Sequence, residues 1–512
     1  MQGIHSRLRR VKCDDGRPSC QRCLNSGREC HGYQPAPIGS FSWQQLLHRR
    51  QPCLSIDAAE SRSLSYYHQV VAPSLAWSLD DTFWVIHVPQ ILNQEPAARH
   101  AVLAISAIYE DFNATLLNRA LGRLDCRTSH TSRMELDTDI SSGCAFALQH
   151  YNNAIRILLE DQISNIDTIL TVSLLFTCIE LLQGSTDAAI KHCQQGVRVH
   201  NSLRLSSELS AAFNRLSIFP QLVDTLTLPR LTDPQGELGL AAVGEMHTVM
   251  QVRQTLDAIM ARGARLLRLA ESNREGEACS VQDLKTEQFQ VRRALGLWWR
   301  GFAALRCRLV STSSVSESDV AVLRLLETRC LVSTILANSC LAGTETIFDE
   351  YLDQFRRIVK LAEQENAARS ASGIRLPSFS FEMGYLPLLY IVGIKCRHLR
   401  LRVRALVLLK DLSCARETIW DAGILYATGV WATQFEHGLS LDEERMRSPT
   451  NPYSDAQLYP NAKRIVEFEN TDEASLGVDS KGHTVVRRRI CFHSSGPDGV
   501  VGPLWDYTTM RL

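Results

Sequence analysis

The sequence predicts a mainly α protein, in which a large all-helical domain lies between a small cysteine-bound N-terminal module and a short C-terminal β-hairpin. Three observations carry this reading. Apolar residues recur at helical spacing through most of the chain, with no alternating strand pattern between them. Four cysteines crowd into the first 33 residues. After residue 441, prolines at 449, 452 and 460 break the helical pattern, and two segments rich in β-branched and basic residues follow. The expected division is a module over 1–33, a linker over 34–62, the helical domain over 63–440 and a tail over 441–512 carrying the hairpin.

Composition bounds the function. The chain has 512 residues, 45% apolar and 21% charged, a globular balance with room for one large or two ordinary cores. Its formal net charge is zero, so the whole is not a general polyanion binder. Positive charge is local: residues 1–33 carry seven basic against three acidic side chains, a net of +4. The basic N-terminus is not followed by the apolar run of a secretory signal. The longest uncharged apolar stretch, 168–179, falls short of the roughly 18 residues that span a bilayer. The expectation is a soluble intracellular protein with no membrane partner. Twelve further cysteines are scattered singly, as expected of buried, reduced thiols.

Within the module, Cys13, Cys20, Cys23 and Cys30 are spaced C-x6-C-x2-C-x6-C. Thiolates this close, in a chain without a secretory signal, read as zinc ligands before disulfides. Four of the six residues before Cys13 are basic: Arg7, Arg9, Arg10 and Lys12. On a short helix they present positive charge to a polyanion, the footprint of nucleic-acid binding. A segment this short folds on metal rather than on an apolar core.

At these residues the chain resembles the fungal zinc binuclear cluster transcription factors, whose pattern is C-x2-C-x6-C-x6-C-x2-C-x6-C with a basic helix between the second and third cysteines. Cys13, Cys20, Cys23 and Cys30 match the third to sixth ligands, and Pro18 matches the loop proline. The first two ligand positions hold Gly3 and Ser6, so the module is incomplete. The family binds two zinc ions through six thiolates. The resemblance therefore implies two ions if an upstream segment supplies the missing pair, and one or none otherwise; a structural zinc wants four protein ligands, and His5 is the sole obvious local substitute. Two readings stay open here: a recorded start that omits an upstream C-x2-C, or a protein that has lost the cluster and direct DNA binding with it.

The resemblance also implies roles. Arg9, Arg10 and Lys12 fall where the family places base-reading and phosphate-contacting residues, with Arg10 the expected base contact; Arg7, Arg17, Arg22 and Arg28 are expected at phosphates or as solubilising charge. Arginine and lysine donate to guanine O6 and N7 in the major groove, and the family reads CGG-type half-sites in double-stranded DNA. The nucleus is the implied location, the transcription machinery the implied partner, and the cluster from Arg7 to Lys12 also fits an import signal.

Residues 34–62, rich in Pro, Gly, Ser and Gln, read as a linker. No heptad repeat lasts the three to four heptads a coiled coil needs, so binding as a monomer or as a homodimer through the large domain both stay open. A helix is expected from Pro96, with Ala98, Val102, Ile105 and Tyr109 on its buried face. A second places Cys144, Leu148, Tyr151, Ile155 and Leu158 on one stripe. The stretch 166–182 is apolar nearly all round, as a central buried helix would be, and 126–143 reads as a loop. Four stretches (95–110, 147–155, 386–398 and 416–421) resemble the fungal-specific regulatory domain found downstream of such zinc clusters. That implies stacked antiparallel helices that control activity, dimerise or sense a signal, with no catalytic chemistry assigned.

In the tail, 464–468 and 484–493 flank a polar turn and predict a hairpin; an acidic activation segment over 467–479 is a second reading. Enzymatic motifs are absent: no G-x-S-x-G, no Walker loop, no G-x-G-x-x-G and no H-E-x-x-H. Asp80 and Asp81 read as a helix cap rather than as a cyclase metal site. Cys396 and His398 read as packing within a basic helical run, and Trp298, Trp299, Tyr66 and Tyr67 as core or interface aromatics. The sequence thus predicts a non-enzymatic, sequence-specific DNA-binding regulator of RNA polymerase II genes, set by resemblance beside a biosynthetic (secondary-metabolite) gene cluster. The alternative is a regulator that does not bind DNA and acts through its helical domain.

Overall fold

The computed structural model describes residues 57–77, 82–92, 94–120, 142–160, 166–201, 246–274, 280–311, 316–373, 375–448, 464–478, 484–494 and 506–511, with single positions between 209 and 218 and at 453. The chain divides into two compact units, one of residues 1–52 with 158–164 and one of all the rest. The helical body and the tail belong to the second, save residues 158–164.

The helical body begins at α1 (Ala58–Tyr66), ahead of residue 63, because Asp57 accepts the Glu60 amide at 2.7 Å and caps its first turn. A π-helical turn, Tyr67–Val71, leads into α2 (Ala72–Ala76). A second, Thr82–His87, leads into α3 (Val88–Leu92). Asp80 and Asp81 lie outside the described residues. Helix α4 (Pro96–Ala120) starts at the expected proline, and Ala98, Val102, Ile105 and Tyr109 are all buried. The helices α5 (Ser142–Glu160), α6 (Ile166–Gln183) and α7 (Thr186–Asn201) follow, with α6 packed against both α4 and α7.

Fourteen of the 18 residues of α6 are buried, which bears out the central helix. By length and composition α6 is also long and apolar enough to cross a membrane, because apolar residues on either side of 168–179 lengthen it to 18 residues despite Asp167 and Glu180. Its side chains are instead enclosed by protein.

The stripe expected on α5 is corrected in part: Leu158 is buried as expected and Tyr151 and Ile155 are half-buried. Ala147, His150 and Ala154 are buried, whereas Leu148 is 51% exposed and Cys144 is exposed. The buried side is shifted by about one position, and it brings a histidine to α4. His150 meets His100 there, Nδ1 to Nδ1 at 2.7 Å.

The second half of the body comprises α8 (Val249–Arg274), α9 (Val281–Ser311), α10 (Glu317–Ser339), a 3-10 turn (Glu345–Tyr351) and α11 (Leu352–Ser372). Trp298, fully buried, donates from its indole to the Val252 carbonyl at 2.8 Å and ties α9 to α8. Ser316 caps α10 by accepting the Asp319 amide. Gly373 closes α11 at φ 65, a left-handed conformation that suits glycine.

Next come β1 (Phe379–Ser380), α12 (Leu386–Lys395), α13 (Leu399–Leu412), β2 (Arg416–Glu417), β3 (Trp420–Asp421) and α14 (Ala422–His437). The expectation of no strands between the helices is therefore overturned: β1 pairs parallel with β2, and β2 antiparallel with β3. Two-residue strands are too short to show any alternation in sequence. Cys396, Arg397 and His398 do not continue one basic helix either; they form the break between α12 and α13. A Cβ at Gly393 would come within 2.9 Å of Leu406 Cδ2, and one at Gly429 within 2.5 Å. Two glycines thus let α12 and α14 close on α13 from either side.

After a short α15 (Glu443–Met446), the tail forms β4 (Ile465–Val478), β5 (Thr484–Ser494) and β6 (Asp506–Arg511) in the order β4-β5-β6. The hairpin is present, with Phe468 opposite Phe492 and Val478 opposite Thr484. A third strand extends it, and the stretch read as an acidic segment is β4 itself.

Candidate functional site

All the residues expected to bind metal or DNA, namely Cys13, Cys20, Cys23, Cys30, Arg7, Arg9, Arg10, Lys12, Arg17 and Arg22, lie outside the described residues. Their chemistry rests on the donor set. Four thiolates within 18 residues suit zinc, which takes sulfur ligands in a tetrahedron, and the adjoining basic run supplies cations for phosphate and guanine.

Among the described residues of the helical body, no group of three or more His, Cys, Asp or Glu side chains could hold a metal ion. Cys178, Cys193, Cys330, Cys340, Cys396 and Cys414 are buried, and burial pushes their thiols up, to about 12 for Cys193 and Cys330 and about 11 for Cys340 and Cys396. Burial of this kind favours the thiol over the thiolate. Cys144 and Cys307 depart from the expected burial and are exposed.

What the body holds instead is buried charge in linked sets. In one, Arg397 and Arg402, each with a fully buried side chain, converge on Glu436. Arg397 lies 3.1 Å from Glu436 Oε1 and also donates to the Lys395 and Ile465 carbonyls at 2.9 and 3.0 Å. The Ile465 amide donates to Glu436 at 2.7 Å, and Arg464 pairs with Asp349 at 2.7 Å. This set joins the α12–α13 break, α14, the 3-10 turn and the start of β4. Burial pushes the Glu436 carboxyl up, but the Arg402 and Arg397 guanidiniums and the Ile465 amide outweigh it and hold it down at about 2.

A second set has Arg329 at 3.4 Å and Arg253 at 3.8 Å from Asp257, with Arg215 at 3.1 Å from Glu382. A third uses two carboxylates of α10 and α11 as double acceptors. Glu327 takes Arg306 and Arg357 at 2.8 and 2.6 Å, and Glu365 takes Arg324 and Arg369 at 3.2 and 2.8 Å.

Glu417, on β2, behaves differently. It accepts the amides of Gly384 and Leu386 at 2.9 and 3.2 Å at the start of α12. Burial raises its carboxyl to about 7 despite those donors. Sequence reasoning missed these sets, because it placed 395–404 in one basic helical run and had no signal for which carboxylate meets which arginine across helices. Trp298 and Tyr67 are core residues, as expected.

One apolar cavity lies among α8, α9, α10 and α12, bordered by Ile259, Met260, Leu295, Val332, Leu336 and Leu388. Its volume of about 30 Å³ is the scale of a water or two, too small to hold an effector as it stands.

The fungal Zn(2)-Cys(6) binuclear cluster domain family matches residues 5–37, the stretch that holds all four module cysteines. The match covers that head alone, and the relatives that resemble longer parts of the chain carry the names of transcription regulators. Among its relatives, the aspercryptin biosynthesis cluster-specific transcription regulator atnN of Emericella nidulans is 25% identical over 70% of this chain and 63% of its own. The transcription regulator lscL of Purpureocillium lilacinum is 24% identical over 41% of this chain and 51% of its own. An uncharacterized transcriptional regulatory protein of Schizosaccharomyces pombe is 30% identical over 20% and 22%. The chain thus spans less than two thirds of the length of each of these relatives. No solved structure matches it.

Proposed function

We propose that this chain is a nuclear, non-enzymatic transcription regulator that recognises double-stranded DNA through its zinc-cluster head and is controlled through its helical body. The carrying observation is the coincidence of the zinc-cluster match at residues 5–37 with the C-x6-C-x2-C-x6-C cysteines and the basic run before them. The finer reading is that Arg10 reads a guanine of a CGG-type half-site, that Arg9 and Lys12 assist it, and that Arg7, Arg17 and Arg22 hold phosphates. Zinc bound at Cys13, Cys20, Cys23 and Cys30 would fix the fold that carries these side chains. A relative named for a biosynthesis cluster supports control of a secondary-metabolite gene cluster.

Selection of bound duplexes from a random pool by the full chain in zinc, read against Arg10→Ala, tests this reading. Enrichment of CGG-type sequences that Arg10→Ala abolishes is the expected result. Gly3 and Ser6, standing where the family has its first two cysteines, favour a second reading, in which the helical body acts without DNA contact. Zinc content below one ion per chain together with no enrichment would establish it.

A further inference from the structure

We propose that the solvent-facing side of α9 is a docking face for an acidic, amphipathic peptide segment of a partner protein. Lys285, Arg292, Arg293 and Arg300 are all exposed, and none makes an ion pair among the described residues. Steps of seven join Lys285 to Arg292 and Arg293 to Arg300, and the two pairs lie one position apart, so at 3.6 residues per turn all four fall within about 100° on one side of the helix. That side is free of acid: from 288 to 311 the helix has no Asp or Glu. Glu287, one of its two acidic residues, is turned to α8, where it pairs with Arg262 at 2.6 Å.

The same side carries apolar anchors. Phe289 is 60% exposed and Val310 70% exposed, about 32 Å apart along the axis. Between them, a Cβ at Gly296 would meet nothing within 4 Å, leaving the helix backbone open to close approach.

Charge decides the occupant. A second copy would set the same cations against each other, a like-charge contact that costs stability. Nucleic acid would satisfy the cations but leave exposed apolar side chains without use. An acidic helix with apolar residues at helical spacing satisfies both, since arginine forks match carboxylates and exposed aromatics serve as anchors.

The test uses the full chain and a fluorescent 20-residue helical peptide of Glu and Leu, with a Glu/Ser peptide and a random-sequence 20-base-pair duplex as comparisons. Anisotropy titrations are run on the wild type, Phe289→Ser and Arg293→Glu/Arg300→Glu, with melting curves to confirm that the variants fold. The expected result is binding of the Glu/Leu peptide, weakened about tenfold by each variant and by the Ser-for-Leu exchange, as for hot-spot residues. No binding of the Glu/Leu peptide overturns the proposal, as does binding indifferent to both variants. Duplex binding that falls in the charge-reversed variant alone, with peptides unbound, assigns the face to nucleic acid instead.

Discussion

Replacing Glu436 by Ala removes the one carboxylate that Arg397 and Arg402 share and the acceptor of the Ile465 amide. Both guanidinium side chains are fully buried; Arg397 keeps Glu345 at 3.1 Å, whereas the deletion strands the positive charge of Arg402 where water cannot reach it. Breaking a buried pair from one side costs about 3–5 kcal/mol. The carboxyl itself gives a second figure. Its position at about 2, against the ordinary 4.5, is worth roughly 3 kcal/mol. The sign is that of an acid held down by folding. The stabilisation is complete above pH 4.5 and disappears as pH falls from there through about 2.

Because Ile465 begins β4, the loss is expected first where the tail joins the body. Hydrogen exchange at the Ile465 amide should accelerate by about a hundredfold, and the melting temperature should fall. Glu436→Gln, which keeps the shape but not the charge, should lie between Ala and wild type. An Ala variant with unchanged Ile465 exchange and stability within about 0.5 kcal/mol of wild type would refute the argument that this carboxylate holds the junction.

Other contacts give further expected outcomes. Trp298→Ala, which empties a fully buried site and frees the Val252 carbonyl, should cost about 3–5 kcal/mol in chemical denaturation. Gly196→Ala would put a Cβ 2.5 Å from the Phe213 ring, and an overpacked site of this kind costs about 1–3 kcal/mol, read as a lower melting temperature. Burial, with its neighbour His150 and nearby Arg99, holds His100 down at about 4. The unfolded chain therefore takes up protons first, and stability should decline as pH falls from 6.5 to about 4. His150→Gln, which removes one of the two rings and keeps an acceptor for His100, should make that decline shallower in melting curves across the same range.

How much of the fold is legible in the sequence depends on which signals are local. Ala98, Val102, Ile105 and Tyr109 recur on one helical side because one packed face demands it, and α6 announces itself because burial on all sides demands apolar residues all round. The α5 stripe misleads because Leu148 is apolar but exposed. An apolar residue outside the core costs little, whereas Ala147 and Ala154 are buried without standing out in composition. Strand β1 exists through backbone pairing with β2, 37 residues on, and β2 and β3 pair through two residues each, which leaves no periodic trace.

The site divides in the same way. A metal module is expected to declare itself through spacing, because ligands must reach one ion from adjacent turns, and the reading of Cys13, Cys20, Cys23 and Cys30 rests on that spacing. The buried arginines escape such a reading, although a trace is present. In α13, Arg400 and Arg404 are four residues apart and share one helical side, whereas Arg402 falls beside Leu399, Val403 and Leu406, on the side that forms the core. An arginine on an apolar stripe cannot be solvated there and must find a carboxylate. What the sequence cannot say is which one, since Glu436 lies 34 residues away on another helix. Paired positions of that kind make the junction of body and tail depend on a few polar residues, while the helices around them depend on many interchangeable apolar ones. Single substitutions should therefore separate the two, with those at Glu436 loosening the tail and those in α6 unfolding the body.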